Sequence, residues 1–136
     1  MKVTILMAIS ASLLLGSSLS GQKVFQKKCS QCHIEYLSKS ETLQRFTTLK
    51  APPMVEVASR LKANIQIANG DPLVKRGVVI AFIKHYIDNP NIDYSMCHPG
   101  AIDRFGIMPS LKGKLSAQEK EAVAAWIYDR FEGVDF

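Results

Sequence analysis

Cys29 and Cys32 are separated by two residues and are followed directly by His33, so the chain contains one Cys-x-x-Cys-His motif. Two thiols at this spacing can form thioether bonds with the two vinyl groups of one haem, and the adjacent imidazole can bind its iron. The motif therefore predicts one covalently attached haem, with His33 as an axial ligand. A backbone carbonyl in the segment 51–53 is our candidate acceptor for the other ring nitrogen, Nδ1.

Two other interpretations of the motif were weighed. A thioredoxin-type dithiol needs a βαβ context, which the sequence lacks. A zinc ion bound by Cys29, Cys32, Cys97 and His98 would have a Cys3His ligand set and remains an alternative. The chain has three cysteines in all, and an odd number fits two thioethers plus one remaining thiol better than a disulfide plus one free thiol.

The second axial ligand is sought among methionines and histidines. Met108 is favoured because it lies in a long loop, where Gly106 permits close backbone approach and Pro109 stiffens the chain. The other donors are Met54, His85, Met96 and His98. The first two lie in predicted helices and are interpreted as packing and surface residues. The last two precede Met108 in the same loop and remain alternatives.

The N-terminal residues 1–20 have the pattern of a signal peptide. Lys2 is followed by an apolar run from Val3 to Leu15 and then by small residues. The run is shorter than the roughly 18 residues that a membrane span needs. The sequence thus predicts export to the periplasm, a mature domain over 21–136, and no stable membrane span unless the signal is retained.

The composition fits one globular domain of modest charge. The chain has 136 residues, of which 47% are hydrophobic and 21% charged, and its net charge is +5. A nucleic-acid-binding protein usually has a denser Lys/Arg patch, so that class of partner is excluded. The small positive surplus is compatible with docking to an acidic protein.

The elements that must position the motif all have helical patterns, and the predicted fold class is all-α with about four helices. The predicted helices cover about 21–30, 53–68, 72–88 and 116–132, and the connection between the first two can contain a short helix over 40–48. Asp71 before Pro72 is typical of a helix start. Ser116 and Glu119 form a capping box for the last helix.

Two regions carry further predictions about local structure. Residues 89–115 are predicted to be a functional loop with at most a turn at 100–105, since Pro and Gly interrupt every pattern while apolar side chains argue against disorder. The helix over 72–88 has apolar residues on more than one face. It is therefore expected to be covered on more than one side.

Over most of residues 21–136 the chain resembles a small single-haem cytochrome c of class I. Three features carry the resemblance: Gly21 and Phe25 before the Cys-x-x-Cys-His motif, Gly106-Ile107-Met108-Pro109 late in the chain, and Trp126-Ile127-Tyr128 in the last helix. The resemblance implies that His33 and Met108 are the axial ligands of one haem c bound to Cys29 and Cys32. It also implies that the first and last helices cross, with Gly21 and Phe25 meeting Val123, Trp126 and Ile127.

The expected function is the transfer of one electron without enzymatic activity. A haem iron with both axial positions occupied binds no substrate, and electron transfer requires no acid, base or nucleophile. Four lysines flank the two ligand segments and are expected to meet an acidic redox partner: Lys27, Lys28, Lys112 and Lys114. The alternative is a haem enzyme or a gas or redox sensor with an open sixth position. The pair Cys97-His98 is not part of the family's pattern, and the interval between His33 and Met108 is longer than in compact members.

Overall fold

The computed structural model describes residues 19–136. The predicted signal peptide, residues 1–20, lies outside this range except for its last two residues. Within the described range the fold is all-helical and has no strand, as predicted, but it has six α-helices where about four were predicted. They are α1 (Gly21–Lys28), α2 (Lys39–Arg45), α3 (Met54–Asn64), α4 (Pro72–Asp88), α5 (Pro99–Phe105) and α6 (Ala117–Arg130), with a single 3-10 turn at Ile92–Tyr94.

The helix starts follow the capping signals in the sequence. Asp71 Oδ1 accepts the backbone N–H groups of Leu73 and Val74 at 2.8 and 3.2 Å, and α4 has the predicted extent. Ser116 and Glu119 form the predicted capping box of α6. Ser38 and Glu41 form a second capping box, which begins α2 one residue before the predicted short helix.

Two differences from the predicted local structure have identifiable physical reasons. The helix expected to reach Ala68 ends at Asn64, because Ile65 takes an extended backbone while its side chain still enters the core. The turn expected at 100–105 is the helix α5. His98 caps it by accepting the Gly100 N–H on Nδ1 at 3.0 Å, and Gly106, at φ 68°, ends it.

The first and last helices cross closely. Gly21 lies against α6, where an added Cβ would overlap the carbonyl oxygen of Ala122 and the Cβ of Trp126. The rings of Phe25 and Trp126 lie 4.9 Å apart between centroids, and Val123 is fully buried in the same core. The contact predicted for Gly21 and Phe25 is therefore confirmed.

Helices α4 and α6 pack in antiparallel directions. Arg76 pairs with Asp129 at 2.6 Å, Lys84 with Glu121 at 2.5 Å, and Asp88 with Lys120 at 2.5 Å, so rising numbers on one helix meet falling numbers on the other. Val79 and Ile83 of α4 are buried in the core that also contains Val123 and Ile127 of α6. These pairs place Arg76, Lys84 and Asp88 along the contact of α4 with α6.

Helix α4 is covered on more than one side, as expected: α6 packs against one side, and the ring of Tyr94 lies against Phe82 and Tyr86 on another. A third side is open. Leu73, Val74 and Val78 are 80%, 52% and 42% exposed. Within residues 19–136, no helix is long and apolar enough to cross a membrane.

Candidate functional site

The Cys-x-x-Cys-His motif continues from α1 as a series of turns. The N–H of Cys29 donates to Phe25 O at 2.8 Å, and the N–H of His33 donates to Cys29 O at 3.0 Å. Because Phe25 is held against α6, the start of the motif is fixed to the helix crossing. Cys29 is half-buried, Cys32 is exposed, and both line one cavity with His33.

The imidazole of His33 is oriented by the backbone. Its Nδ1 lies 2.8 Å from the carbonyl oxygen of Pro52, which confirms the acceptor predicted in the segment 51–53. With Nδ1–H as the donor, Nε2 is the free ring nitrogen that a metal ion can use. Burial lowers the pKa of His33, and the hydrogen bond to Pro52 O partly opposes this shift. The lowered pKa favours the neutral imidazole, which is the form that binds a metal ion.

The cavity is large and mostly apolar. Its empty volume is about 1220 Å³ when the solvent at its open side is included. Its walls come from α3, α4, α5 and the segments on either side of α5, and they include Leu61, Ile83, Ile87 and Phe105. A cavity of this kind suits a flat apolar cofactor more than a polar metabolite.

Met108 lines the same cavity as Cys29, Cys32 and His33. The structure therefore brings together all four residues predicted to hold the cofactor. Met54 and Met96 also line the cavity, so three methionine side chains border it. The two other histidines do not line it: His98 caps α5, and His85 is exposed on α4.

The four donors of the zinc alternative do not converge. Cys97 lines the main cavity, whereas His98 borders only a small neighbouring cleft and engages the Gly100 N–H. In residues 19–136 no group of three or more His, Cys, Asp or Glu side chains is placed to hold a metal ion.

The thiols have raised pKa values. Burial, with a smaller contribution from nearby Cys32, raises the pKa of Cys29 to about 11. Burial also raises the pKa of Cys97. Both thiols are therefore protonated near neutral pH, and Cys97 is not an activated nucleophile.

Several residues of the site were missed in the sequence. Lys50 and Arg60 add two cationic groups to the lining, and nothing in their sequence context indicated this. Phe82 and Tyr86 form an aromatic wall on α4 with centroids 5.6 Å apart, and their spacing of four residues could have predicted it. Arg104 of α5 donates hydrogen bonds to Thr47 O and Leu49 O at 2.7 and 3.3 Å, which connects α5 to the segment before Pro52.

Two of the four predicted docking lysines meet. Lys28 Nζ donates to Lys114 O at 3.0 Å, which joins the end of α1 to the segment before α6. Lys27 and Lys112 are exposed. The four lysines thus lie near the contact between Lys28 and Lys114, which is close to the Cys-x-x-Cys-His motif.

The residues present fit a covalently attached haem. Two thiols and one imidazole come from consecutive turns, methionine sulfur borders the same space, and apolar walls with two cations complete the lining. The porphyrin face of a haem packs against apolar walls, its two vinyl groups react with the two thiols, and its propionates pair with cationic groups. The donor set and the lining are thus chemically compatible with this group.

Comparison with known proteins places the chain in a family. An uncharacterized protein of Aquifex aeolicus (strain VF5) is 36% identical over 121 residues, which cover 82% of this chain and 74% of that protein. The chain belongs to the family of this protein. No family model matches the chain, and no solved structure matches it.

Proposed function

We propose that this protein is a class I cytochrome c that carries one electron on a single haem c. The haem is bound covalently by Cys29 and Cys32, and its iron is ligated by His33 and Met108. One observation carries the proposal: these four residues line a single apolar cavity, and Pro52 O already holds Nδ1 of His33.

The helix crossing supports the family assignment. Gly21 and Phe25 of α1 meet Ala122 and Trp126 of α6 immediately before the motif begins. The resemblance in the sequence implied this contact between the first and last helices. The crossing thus links the attachment site to the last helix.

When bound, haem supplies a one-electron couple between ferrous and ferric iron. The chain contributes the surroundings that set its potential. A neutral sulfur ligand and apolar walls disfavour the more positive ferric state, which raises the reduction potential. Pro52 O would hold the His33 ring in one orientation, which would position Nε2 to ligate the iron in either oxidation state.

The site needs no acid, base or nucleophile for this role, and we propose no enzymatic activity. Lys27, Lys28, Lys112 and Lys114 would receive an acidic redox partner, since opposite charges speed encounter. The compartment we propose is the periplasm, where residues 21–136 act after removal of residues 1–20.

The first test is a visible absorption spectrum of the exported protein, purified from cells that attach haem. We expect a six-coordinate low-spin spectrum in both oxidation states, with haem that stays bound after denaturation. Absence of haem bands would refute the proposal. A five-coordinate spectrum would instead favour an enzyme or sensor with an open sixth position.

The second test assigns the sulfur ligand. Met108→Ala should abolish the near-infrared sulfur-to-iron band and lower the reduction potential. Met96→Ala is the matched control, because Met96 lines the same cavity and should leave the band in place. Retention of the band in Met108→Ala, with its loss in Met96→Ala, would transfer the ligand role to Met96.

A further inference from the structure

Arg104 is an exposed residue of α5 that connects this helix to a distant part of the chain. Its Nη2 donates hydrogen bonds to Thr47 O at 2.7 Å and to Leu49 O at 3.3 Å. These carbonyl groups belong to the segment 46–51, which leads directly into Pro52, the acceptor for Nδ1 of His33. One side chain thus fastens α5 to the segment that leads to the predicted histidine ligand.

Met108 follows α5 in the chain and depends on the position of that helix. Gly106 N–H donates to Ile102 O at 2.8 Å and ends the helix shortly before Met108. On the other side of Met108, Leu111 N–H donates to Ile87 O at 2.9 Å at the end of α4. Met108 therefore lies in a short stretch of chain between two fixed points, one on α5 and one on α4.

The histidine side of the site has anchors of its own. Two backbone hydrogen bonds, at 2.8 and 3.1 Å, tie residues 54–55 to residues 34–35, which directly follow Pro52–Pro53 and His33 in the chain. Arg104 takes no part in them. Loss of the Arg104 hydrogen bonds should therefore release the Met108 side of the site and leave the His33 side in place.

We propose that Arg104 is a positioning residue for the sixth ligand: by holding α5 against the segment 46–51, it keeps Met108 within reach of a haem iron bound by His33. This inference rests on the proposed function and names what keeps that site closed. Arg104 does not line the cavity, so it acts on the site through α5.

Two physical features suit Arg104 to this role. A guanidinium is always charged, and its N–H groups form charge-assisted hydrogen bonds with carbonyl oxygens. A helix of seven residues is too short to be stable alone, so α5 depends on contacts of this kind. The ring of Phe105 also packs edge-on against Phe46, at 5.4 Å between centroids, and joins the same two segments. Because that contact remains without Arg104, α5 should loosen and not detach.

Imidazole binding to the ferric haem protein measures how easily the sixth ligand leaves. Imidazole is a nitrogen donor that competes with the methionine sulfur for the iron, and loss of the near-infrared sulfur-to-iron band reports the exchange. We expect Arg104→Gln to bind imidazole about fivefold more tightly than the wild type, because the net loss of a hydrogen bond shifts such an equilibrium by about this factor. Arg104→Lys keeps a cationic donor, and its affinity should lie between the two.

Arg76→Gln is the matched control. Arg76 also donates two side-chain hydrogen bonds, to Asp129 at 2.8 and 2.6 Å, and its replacement removes the same charge. It joins α4 to α6 and does not line the cavity. Its imidazole affinity should equal that of the wild type, which separates release of Met108 from a general effect of lost charge or lost hydrogen bonds.

Amide hydrogen exchange locates the release. In Arg104→Gln the amide of Gly106, which is hydrogen-bonded to Ile102 O, should exchange about fivefold faster than in the wild type. The amides of Met54 and Val55, which hold the histidine side, should exchange at the wild-type rate.

Equal imidazole affinities of Arg104→Gln and the wild type would overturn the inference, and so would equal increases in Arg104→Gln and Arg76→Gln. Faster exchange at Met54 and Val55 in Arg104→Gln would also overturn it, because Arg104 would then support the histidine side. Each of these results requires a wild-type protein that shows haem and the sulfur-to-iron band. A wild-type protein that lacks either would instead refute the proposed function, and this inference with it.

Discussion

The imidazole Nδ1 of His33 and the carbonyl oxygen of Pro52 lie 2.8 Å apart, although the residues are separated by 19 positions in the chain. Two backbone hydrogen bonds hold these segments together: Met54 N–H donates to Ile34 O at 2.8 Å, and Val55 N–H donates to Glu35 O at 3.1 Å. The acceptor is thus a fixed part of the backbone. This arrangement sets the tautomer of His33 before any metal binds.

That relationship predicts the state of His33 in the haem-free, reduced protein. Nitrogen NMR should show the Nδ1–H tautomer, and burial should give a pKa below the ordinary value of about 6.5. The folded pKa lies below the unfolded one. His33 therefore contributes stability above about pH 6.5, and this stability is lost as the pH falls through the folded value. An Nε2–H tautomer, or titration above 6.5, would contradict the prediction.

Alkylation should distinguish the three thiols. In the haem-free, reduced protein, iodoacetamide at pH 7 should modify exposed Cys32 before Cys29, whose pKa is raised to about 11. In the exported haem protein, mass spectrometry after unfolding should find alkylation at Cys97 alone. Modification of Cys29 or Cys32 in that sample would show that the thioether is missing.

Local signals in the sequence predicted the elements that hold the motif. The side chains of Asp71 and Ser116 accept the free backbone N–H groups at the starts of α4 and α6. Residues close in sequence were therefore sufficient to predict where these two helices begin. The carbonyl partner of His33 was also predictable, because the double proline keeps the segment 51–53 outside a helix. These signals require no knowledge of distant packing.

Features that depend on tertiary packing were not predictable in this way. Ile65 continues the apolar spacing of α3 from an extended backbone, since burial requires only that the side chain reach the core. Arg60 and Lys50 enter the lining because of the path of the chain around the cavity. Val74 and Val78 of α4 are exposed because no element within residues 19–136 covers that side of the helix, which composition cannot reveal.

Replacing two glycines by alanine should have opposite effects on the free energy of unfolding. Gly21→Ala places a Cβ against the backbone of Ala122 and should cost about 1–3 kcal/mol or more. Gly77→Ala has open space and should gain up to about 1 kcal/mol. Urea unfolding of each variant and of the wild type measures both changes. Unchanged or increased stability of Gly21→Ala would contradict the crossing of α1 and α6, and a loss of stability in Gly77→Ala would contradict the open space at that position.

Arg104 should control the mobility of the segment before Pro52. Arg104→Gln removes the donor to Thr47 O and Leu49 O, and the loss of about 1 kcal/mol should speed amide hydrogen exchange in residues 46–51 about fivefold. Phe46 stays packed on Phe105 at 5.4 Å, so the segment should not detach fully. Exchange in α6 serves as the internal control. Equal acceleration there would indicate global destabilisation.

Two glutamates should give opposite pH dependences of stability. Burial raises the pKa of Glu56, while Arg60, His98 and Lys39 oppose this, so the folded protein binds the proton more tightly than the unfolded chain. Wild-type stability relative to Glu56→Gln should therefore fall as the pH rises through the window from about 4.5 up to the raised folded value.

Glu41 provides the contrasting case. Hydrogen bonds from the Ser38 side chain and backbone lower the pKa of Glu41. Its contribution is present above the unfolded pKa and is lost as the pH falls through the folded value, so wild-type stability relative to Glu41→Gln should rise with pH. Urea unfolding of the three proteins between pH 3 and 7 measures both differences. Slopes of opposite sign would confirm that half-buried Glu56 has a raised pKa and that the capping residue Glu41 has a lowered one, whereas parallel curves would contradict both shifts.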